Sequence, residues 1–383
     1  MARALYIHWP FCAKKCPYCD FNSHVRESVD VDIWRSALLA DMRAEAEAAD
    51  GETLTSIFFG GGTPSLMPPE LVGSLLREAE RLWGFDPGIE ITLEANPSSV
   101  EARNFSDLAS AGINRVSLGL QSLDDKTLRW LGRLHGADEA VAALEVAQTN
   151  FQRVSFDLIY ALPDQTPEDW REQLSRALGF GTSHLSLYQL TIEPGTRFAT
   201  DVRRGVFEPL GDEPAAELFD LTRELTENWG RSAYETSNHA RPGEESRHNL
   251  TYWRYQDYVG IGPGAHGRRG GFATTRHKKP ENFLKAVEER GHGIAEQRML
   301  GMPEQASEAL LMGLRLVEGV DLTDLERRFG LSRWSMLNKG AVSTYTDLGF
   351  VWSDADRLGV EPKGRAVLNA LIEALVDDEI VQA

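Results

Sequence analysis

The 383-residue sequence predicts an α/β fold: a partial (β/α)6 barrel, then a strand-and-loop extension, then a small C-terminal winged-helix-like domain. Three observations lead there. Short apolar runs alternate six times with longer amphipathic stretches, the pattern of βαβ units around a parallel sheet. From about residue 235 the alternation stops, and 236–280 is rich in Gly, His, Arg and aromatics without helical period. Helical periodicity resumes near 303. These changes of texture place boundaries at 1–230, 231–300 and 301–383.

The strand-like runs are 5–8, 56–59, 90–93, 115–118, 153–158 and 184–188. Helix-like stretches fall between and after them at 30–50, 69–83, 101–111, 124–131 with 136–149, and 167–179. In the second of these, Leu71, Leu75, Leu76 and Ala79 recur at three- and four-residue steps, which places them on one helical face. No seventh or eighth unit is legible, so a partly open barrel fits better than a closed one. Barrels of this kind carry their chemistry at the C-terminal ends of the strands. A cysteine-bearing loop follows strand one, Gly60-Gly61-Gly62 follows strand two, and Glu94 ends strand three.

Charge narrows the function classes. Forty basic against 58 acidic residues leave −18, with a pI near 5.0, which argues against a general nucleic-acid binder and against attraction to an anionic membrane surface. The last 83 residues carry a net −6, so DNA binding by a winged helix there is not expected either. No run of about 18 apolar residues exists, and the N-terminal stretch has no apolar segment with a small-residue cleavage site. A soluble, cytoplasmic protein is expected.

All three cysteines, Cys12, Cys16 and Cys19, lie within eight residues. An odd number cannot all pair as disulfides, and the spacing lets three thiolates converge on a metal or cluster from one loop. Three thiolates hold three irons of a 4Fe–4S cube and leave the fourth open for a small chelating molecule. Two alternatives stand beside this: a zinc site completed by His8 or His24, and three unliganded buried thiols. Tyr18 and Phe21 supply the apolar cover that limits solvent around a cluster.

Cys12-Ala-Lys-Lys-Cys16-Pro-Tyr-Cys19 resembles the cluster motif of the radical S-adenosylmethionine (SAM) superfamily. The resemblance implies a 4Fe–4S cluster whose open iron chelates SAM, reductive cleavage of the sulfonium to a 5′-deoxyadenosyl radical, and an electron donor for the cluster. The segment 57–65, Ile-Phe-Phe-Gly-Gly-Gly-Thr-Pro-Ser, is similar to the glycine stretch of the coproporphyrinogen-oxidase-like branch, and so assigns Gly61, Gly62 and Thr63 to SAM. Glycines there let backbone approach a ligand where a Cβ would clash. No Gly-Lys-Ser/Thr follows, so this is not a phosphate loop. Tyr6, Glu94, Gln121, Arg133 and Asp157 stand in register with that branch's SAM contacts. Carboxylates there can accept ribose hydroxyls, and Gln or Arg can bind a carboxylate or an adenine edge. Singly, each is equally explained as a strand-end polar residue.

Two features set the chain apart from the oxygen-independent coproporphyrinogen III oxidase, which carries a fourth cysteine two residues after the third and a longer leading segment. Here that position is Phe21, and eleven residues precede Cys12. The sequence is closer to the HemW-type haem-chaperone branch, because His248-Asn-Leu-Thr-Tyr252-Trp253 resembles its haem motif. Histidine can ligate haem iron and aromatics can stack on the porphyrin. A packed segment with a satisfied histidine is the alternative. The resemblance implies haem as bound cargo and haem-accepting proteins as partners, with peripheral contact to membrane-bound acceptors and a homodimer left open. The oxidase is the second functional reading. Independently of the family, 267–279 carries five basic residues and no acidic one, which suits haem propionates or a solvated loop.

Overall fold

The computed structural model describes residues 2–49 and 51–377. Six strands form where the apolar runs lie: β1 (Ala2–Trp9), β2 (Gly51–Gly61), β3 (Phe85–Ala95), β4 (Arg115–Gln121), β5 (Arg153–Tyr160) and β6 (His184–Gln189). Each pairs in parallel with the next. Between them run α1 (Val31–Ala48), α2 (Pro69–Trp83), α3 (Ser99–Ala102), α4 (Phe105–Ser110), α5 (Asp125–Trp130), α6 (Ala137–Asn150) and α7 (Pro167–Leu178). The single helix expected over 101–111 is therefore two pieces, broken where the Asn104 N–H donates three residues back to Glu101 instead of four.

Local chemistry explains the helix starts. Asp30 and Asp124 accept backbone N–H groups of the first turns of α1 and α5, and Thr166 and Asp169 form a reciprocal capping box on α7. Leu71, Leu75, Leu76 and Ala79 of α2 are all buried against the sheet, and each leucine contributes about 1.5–3 kcal/mol of hydrophobic stabilisation.

After α8 (Arg197–Arg203) and α9 (Asp212–Asn228), the chain builds further strands onto both edges of the barrel sheet. β7 (Ser232–Ala233) and β8 (Asn238–Ala240) add to β6, with β8 antiparallel to it. The chain then crosses beneath the barrel in α10 (Arg247–Trp253) and returns as β9 (Tyr258–Ile261), parallel to β1. β10 (His266–Arg269), β11 (Phe272–Arg276) and, after α11 (Pro280–Arg290), β12 (Ile294–Met299) extend that edge antiparallel. One twelve-stranded sheet results, in the order β12-β11-β10-β9-β1-β2-β3-β4-β5-β6-β8-β7.

The basic segment 267–279 is corrected here. Its arginines are neither in a solvated loop nor a propionate guide, because they lie in β10 and β11 and are buried, and only Lys278 and Lys279, beyond β11, stay exposed. Arg269 Nε donates to Glu45 Oε2 at 2.6 Å, and Arg276 pairs with both Glu45 and, at 3.3 Å, Asp41. Arg268 stacks on Tyr255, 3.5 Å from the ring centroid. All three are buried. Asp41 and Glu45 stand one turn apart on α1, so the charges of Arg269 and Arg276 are neutralised inside the molecule.

The chain ends with α12 (Met302–Gly313), β13 (Val320–Asp321), α13 (Leu322–Phe329), α14 (Arg333–Met336), α15 (Lys339–Asp347), β14 (Val351–Ser353), β15 (Arg357–Val360) and α16 (Leu368–Leu375). The three strands form a separate antiparallel sheet in the order β13-β15-β14, and their helices bury a core of their own. Among the described residues no helix is long and apolar enough to cross a membrane.

Candidate functional site

The strand ends of the barrel collect most of the residues singled out from sequence. Cys12, Cys16, Cys19, Tyr18, Gly61, Gly62, Thr63, Glu94, Gln121, Arg133 and Asp157 line one cavity. Tyr6 stands behind its wall: the hydroxyl meets His8 Nδ1 at 2.9 Å and the ring packs on Phe58 and His248.

The three thiols do not converge on one point. Among the described residues no group of three or more His, Cys, Asp or Glu side chains could hold a single metal ion. Zinc–sulfur bonds are about 2.3 Å long and need that convergence, whereas an iron–sulfur cube brings its own bridging sulfides to span a wider gap. Each sulfur also has a polar neighbour. The Thr63 hydroxyl donates to Cys12 Sγ at 3.4 Å, Arg133 donates to Cys16 Sγ at 3.6 Å, and the Ser23 hydroxyl lies 4.0 Å from Cys19 Sγ. Such donors steady a thiolate ligand. In the metal-free chain, burial raises the Cys12 and Cys19 thiols above their ordinary range, so filling the site releases protons.

The glycine stretch lines the cavity and also does something the sequence did not suggest. A Cβ on Gly60 would meet the Tyr6 ring at 2.9 Å, one on Gly61 the His8 ring at 2.6 Å, and one on Gly62 the Phe11 carbonyl oxygen at 2.6 Å. Gly61 also sits at φ +114°. These glycines therefore make room for β1 and the cysteine loop first. Gly62 and Thr63 then donate their N–H groups to the carbonyls of Trp9 and Phe11, carrying the sheet ladder onto the loop. The same moulding recurs on two other sides. A Cβ on Gly132 would lie 2.6 Å from Pro17, and one on Gly264 would lie 2.3 Å from Asn22 Nδ2.

Asn22 holds a structural role that sequence reasoning did not assign. Its side chain donates to the carbonyls of Pro263 at 2.8 Å and Lys278 at 3.0 Å, and its own carbonyl accepts from His8 Nε2 at 2.9 Å. It ties the end of the cysteine loop to the turn after β9. Asn96, Ser117 and Gly119 also line the cavity. Two-residue periodicity could have found the last two, since Ser117, Gly119 and Gln121 share one face of β4.

The polar wall suits a zwitterionic ligand with a positive charge. Burial, with Asp157 adding to it, pushes the Glu94 carboxyl up to about 8, and burial pushes Asp157 up to about 6 against hydrogen bonds from Ser186 and Ser117. A cationic ligand would restore their ionised forms. Arg133 donates to Asn96 Oδ1 at 2.5 Å and Gly119 O at 2.8 Å, yet its Nε is buried with no partner. That orphaned donor asks for an acceptor in the cavity. The residues present thus fit a cluster and SAM: the three cysteines would hold the one, and Glu94, Gln121, Arg133 and Asp157 the other.

The haem motif divides. His248 is 1% exposed, stacked on Phe58, with Nδ1 meeting Ser56 Oγ at 3.1 Å and Nε2 meeting Tyr252 Oη at 2.7 Å. Its backbone N–H and that of Arg247 donate to the buried Glu90 carboxylate, which anchors α10 under the barrel. Both ring nitrogens are engaged and the ring is buried, so haem ligation by His248 would require breaking one of these contacts and opening the packing around it. Tyr252 and Trp253 instead border a large cleft on the far side of α10.

The chain matches the radical SAM superfamily over residues 6–177 and the HemN C-terminal domain over 302–367. Heme chaperone HemW of Haemophilus influenzae is 37% identical over 392 residues, covering 98% of both chains. HemW of Escherichia coli is 36% identical over 377 residues, covering 97% of both. Mouse radical S-adenosyl methionine domain-containing protein 1, mitochondrial, is 39% identical over 386 residues, 97% of this chain and 87% of that one. Among solved structures, the radical SAM enzyme coproporphyrinogen III oxidase (HemN) from E. coli superposes with a TM-score of 0.82 at 22% identity, covering 97% of this chain and 89% of that one, which shows a common fold. With its cysteine loop at the mouth of a partial barrel and full-length likeness to these relatives, the chain belongs to the HemW-type branch of the radical SAM superfamily.

Proposed function

We propose that this protein is a cytoplasmic haem chaperone that carries a 4Fe–4S cluster on Cys12, Cys16 and Cys19, binds SAM beside it, and passes haem to acceptor proteins. The observation that carries this reading is likeness over essentially the whole length to proteins named heme chaperone, in a chain with Phe21 where a fourth cysteine would mark the oxidase. Phe21 has no donor atom for a metal, and at 60% exposed it gives the loop little of the apolar cover expected of it.

When bound, the cluster supplies one electron and an open iron. The chain's residues do the rest. Thr63, Arg133 and Ser23 steady the thiolates, the Arg133 Nε takes an acceptor, and Glu94 and Asp157 ionise against a cationic ligand. The reading requires an electron donor for the cluster and a protein that receives haem. Tyr252 and Trp253 are its cargo-facing residues, and His248 holds Tyr252 in place.

The test pairs two assays on anaerobically reconstituted protein. Haem should titrate the protein to a saturable Soret band. Incubation with SAM, reductant and coproporphyrinogen III should yield no protoporphyrinogen. Protoporphyrinogen formation, or no saturable haem binding, overturns the reading.

A further inference from the structure

The haem-chaperone reading leaves the seat of the cargo open, and one cleft carries an assignment. We propose that haem sits between α9, α10 and the segment 365–370, its macrocycle against Phe219 and Trp253 and one propionate on Arg315.

Size and lining come first. The cleft holds about 1060 Å³, at the upper end of the roughly 300–1,000 Å³ typical of small-molecule sites. Four aromatic side chains border it: Tyr188, Phe219, Tyr252 and Trp253. Tyr188 is on β6, opposite Ile159 of β5, the strand that also carries Asp157 of the strand-end cavity. A flat, largely apolar ligand with a charged edge suits such walls.

Polar groups without partners give the second, independent observation. Asn238 is 5% exposed, and its Oδ1 meets nothing while its Nδ2 donates to Glu235. Thr236 Oγ1 is likewise buried and unpartnered. Both residues border the cleft. Buried polar atoms are almost always satisfied, so a ligand or an ordered water completes them. A propionate with its attendant water can accept from the threonine and donate to the asparagine.

Charge then selects the anion-binding residue. Arg365 also faces the cleft, but its guanidinium is committed to the carbonyls of Leu314, Arg315 and Leu316, where it closes the end of α12. Arg315 is held only by the Leu311 carbonyl and by exposed Asn369, at 3.2 Å, so it can swing to a ligand at little cost. The acidic neighbours do not oppose it strongly. Asp212 and Glu213 are exposed at the start of α9, and burial holds the Glu235 carboxyl above its ordinary range, towards the neutral form. The arginines of 267–279 do not border this cleft: Arg269 and Arg276 are paired with Asp41 and Glu45 inside the protein, and Arg268 is buried against Tyr255.

The experiment is a Soret titration of the full, reconstituted chain with haem and with haem dimethyl ester, whose propionates carry no charge. Arg315→Gln should weaken haem binding about 10-fold or more, the scale of a lost charge-assisted hydrogen bond, and Arg315→Lys should recover part of it. The ester should bind wild type and Arg315→Gln alike. Ala216→Trp, which fills the cleft from α9, should abolish both titrations while iron content and SAM binding stay at wild-type levels. If wild type binds haem and both Arg315→Gln and Ala216→Trp titrate like it, the cargo sits elsewhere and the chaperone reading stands. If the ester loses as much affinity as haem in Arg315→Gln, Arg315 does not read a carboxylate. If wild type shows no saturable binding, the functional reading fails and this assignment with it.

Discussion

Replacing Gly264 by alanine measures how firmly the cysteine loop is clamped. Gly264 has φ +82°, and an added Cβ would fall 2.3 Å from Asn22 Nδ2. The left-handed backbone alone costs a non-glycine residue about 1–2 kcal/mol. Asn22 must also swing away, giving up its bonds to the Pro263 and Lys278 carbonyls, each worth about 0.5–1.5 kcal/mol. The expected loss is therefore about 2–5 kcal/mol. Gly291→Ala is the matched control: φ is +80°, and nothing lies within 4 Å of its added Cβ, so it bears the backbone cost alone. Urea denaturation should place Gly264→Ala about 1–3 kcal/mol below Gly291→Ala. In reconstituted protein it should also release iron to a chelator faster. Adding Asn22→Ala should make the double variant less damaged than the two single losses added together. Equal stability of the two glycine variants would refute the clamp.

Replacing Cys12, Cys16 or Cys19 by alanine should abolish the iron–sulfur absorbance near roughly 400 nm with far-ultraviolet circular dichroism unchanged, and four irons per chain in any of the three would remove that ligand from the assignment. His248→Ala strands Ser56 Oγ and Tyr252 Oη and should cost about 2–5 kcal/mol in urea denaturation at unchanged iron content; a variant as stable as wild type would mean the contacts are idle. Glu94 gives a pH signature. Its folded-state pKa of about 8 is above the ordinary carboxyl value, so the stability it contributes is full below that ordinary value and is lost as pH rises through about 8. Ligand-free Glu94→Gln lacks that loss and should gain on wild type by about 4 kcal/mol between pH 5 and 8.5 in thermal melts, and a gap that does not change with pH would contradict it.

The split between what could be read and what could not follows the range of the interactions involved. Strands β1 to β6 and helices α1, α2, α5, α6 and α7 were legible because hydrophobic period is a local property, repeated within each βα unit. Many of the strand-end residues that line the cavity were legible for a related reason, since a barrel brings every strand's C-terminal end to one mouth. β9 to β12 were not. Four- to six-residue strands broken by Gly262, Gly264, Gly270 and Gly271 carry little periodicity, and the group joins the barrel only because β9 pairs with β1, far earlier in the chain.

By itself the amino-acid sequence determined the barrel's order, the loop that carries Cys12, Cys16 and Cys19, and many of the residues that line the cavity at the strand ends. Tertiary structure alone decided the sign of several roles. Arg269 and Arg276 became internal counter-charges because Asp41 and Glu45, more than 200 residues earlier, meet them inside. His248 became a packing residue because Ser56 and Tyr252 take both its nitrogens. The glycines of 60–62 serve the protein's own side chains before any ligand. A charge, an imidazole or a missing Cβ reads the same in any sequence, and only the groups that fold against it, with the water they exclude, decide whether it binds a partner within the chain or one from outside.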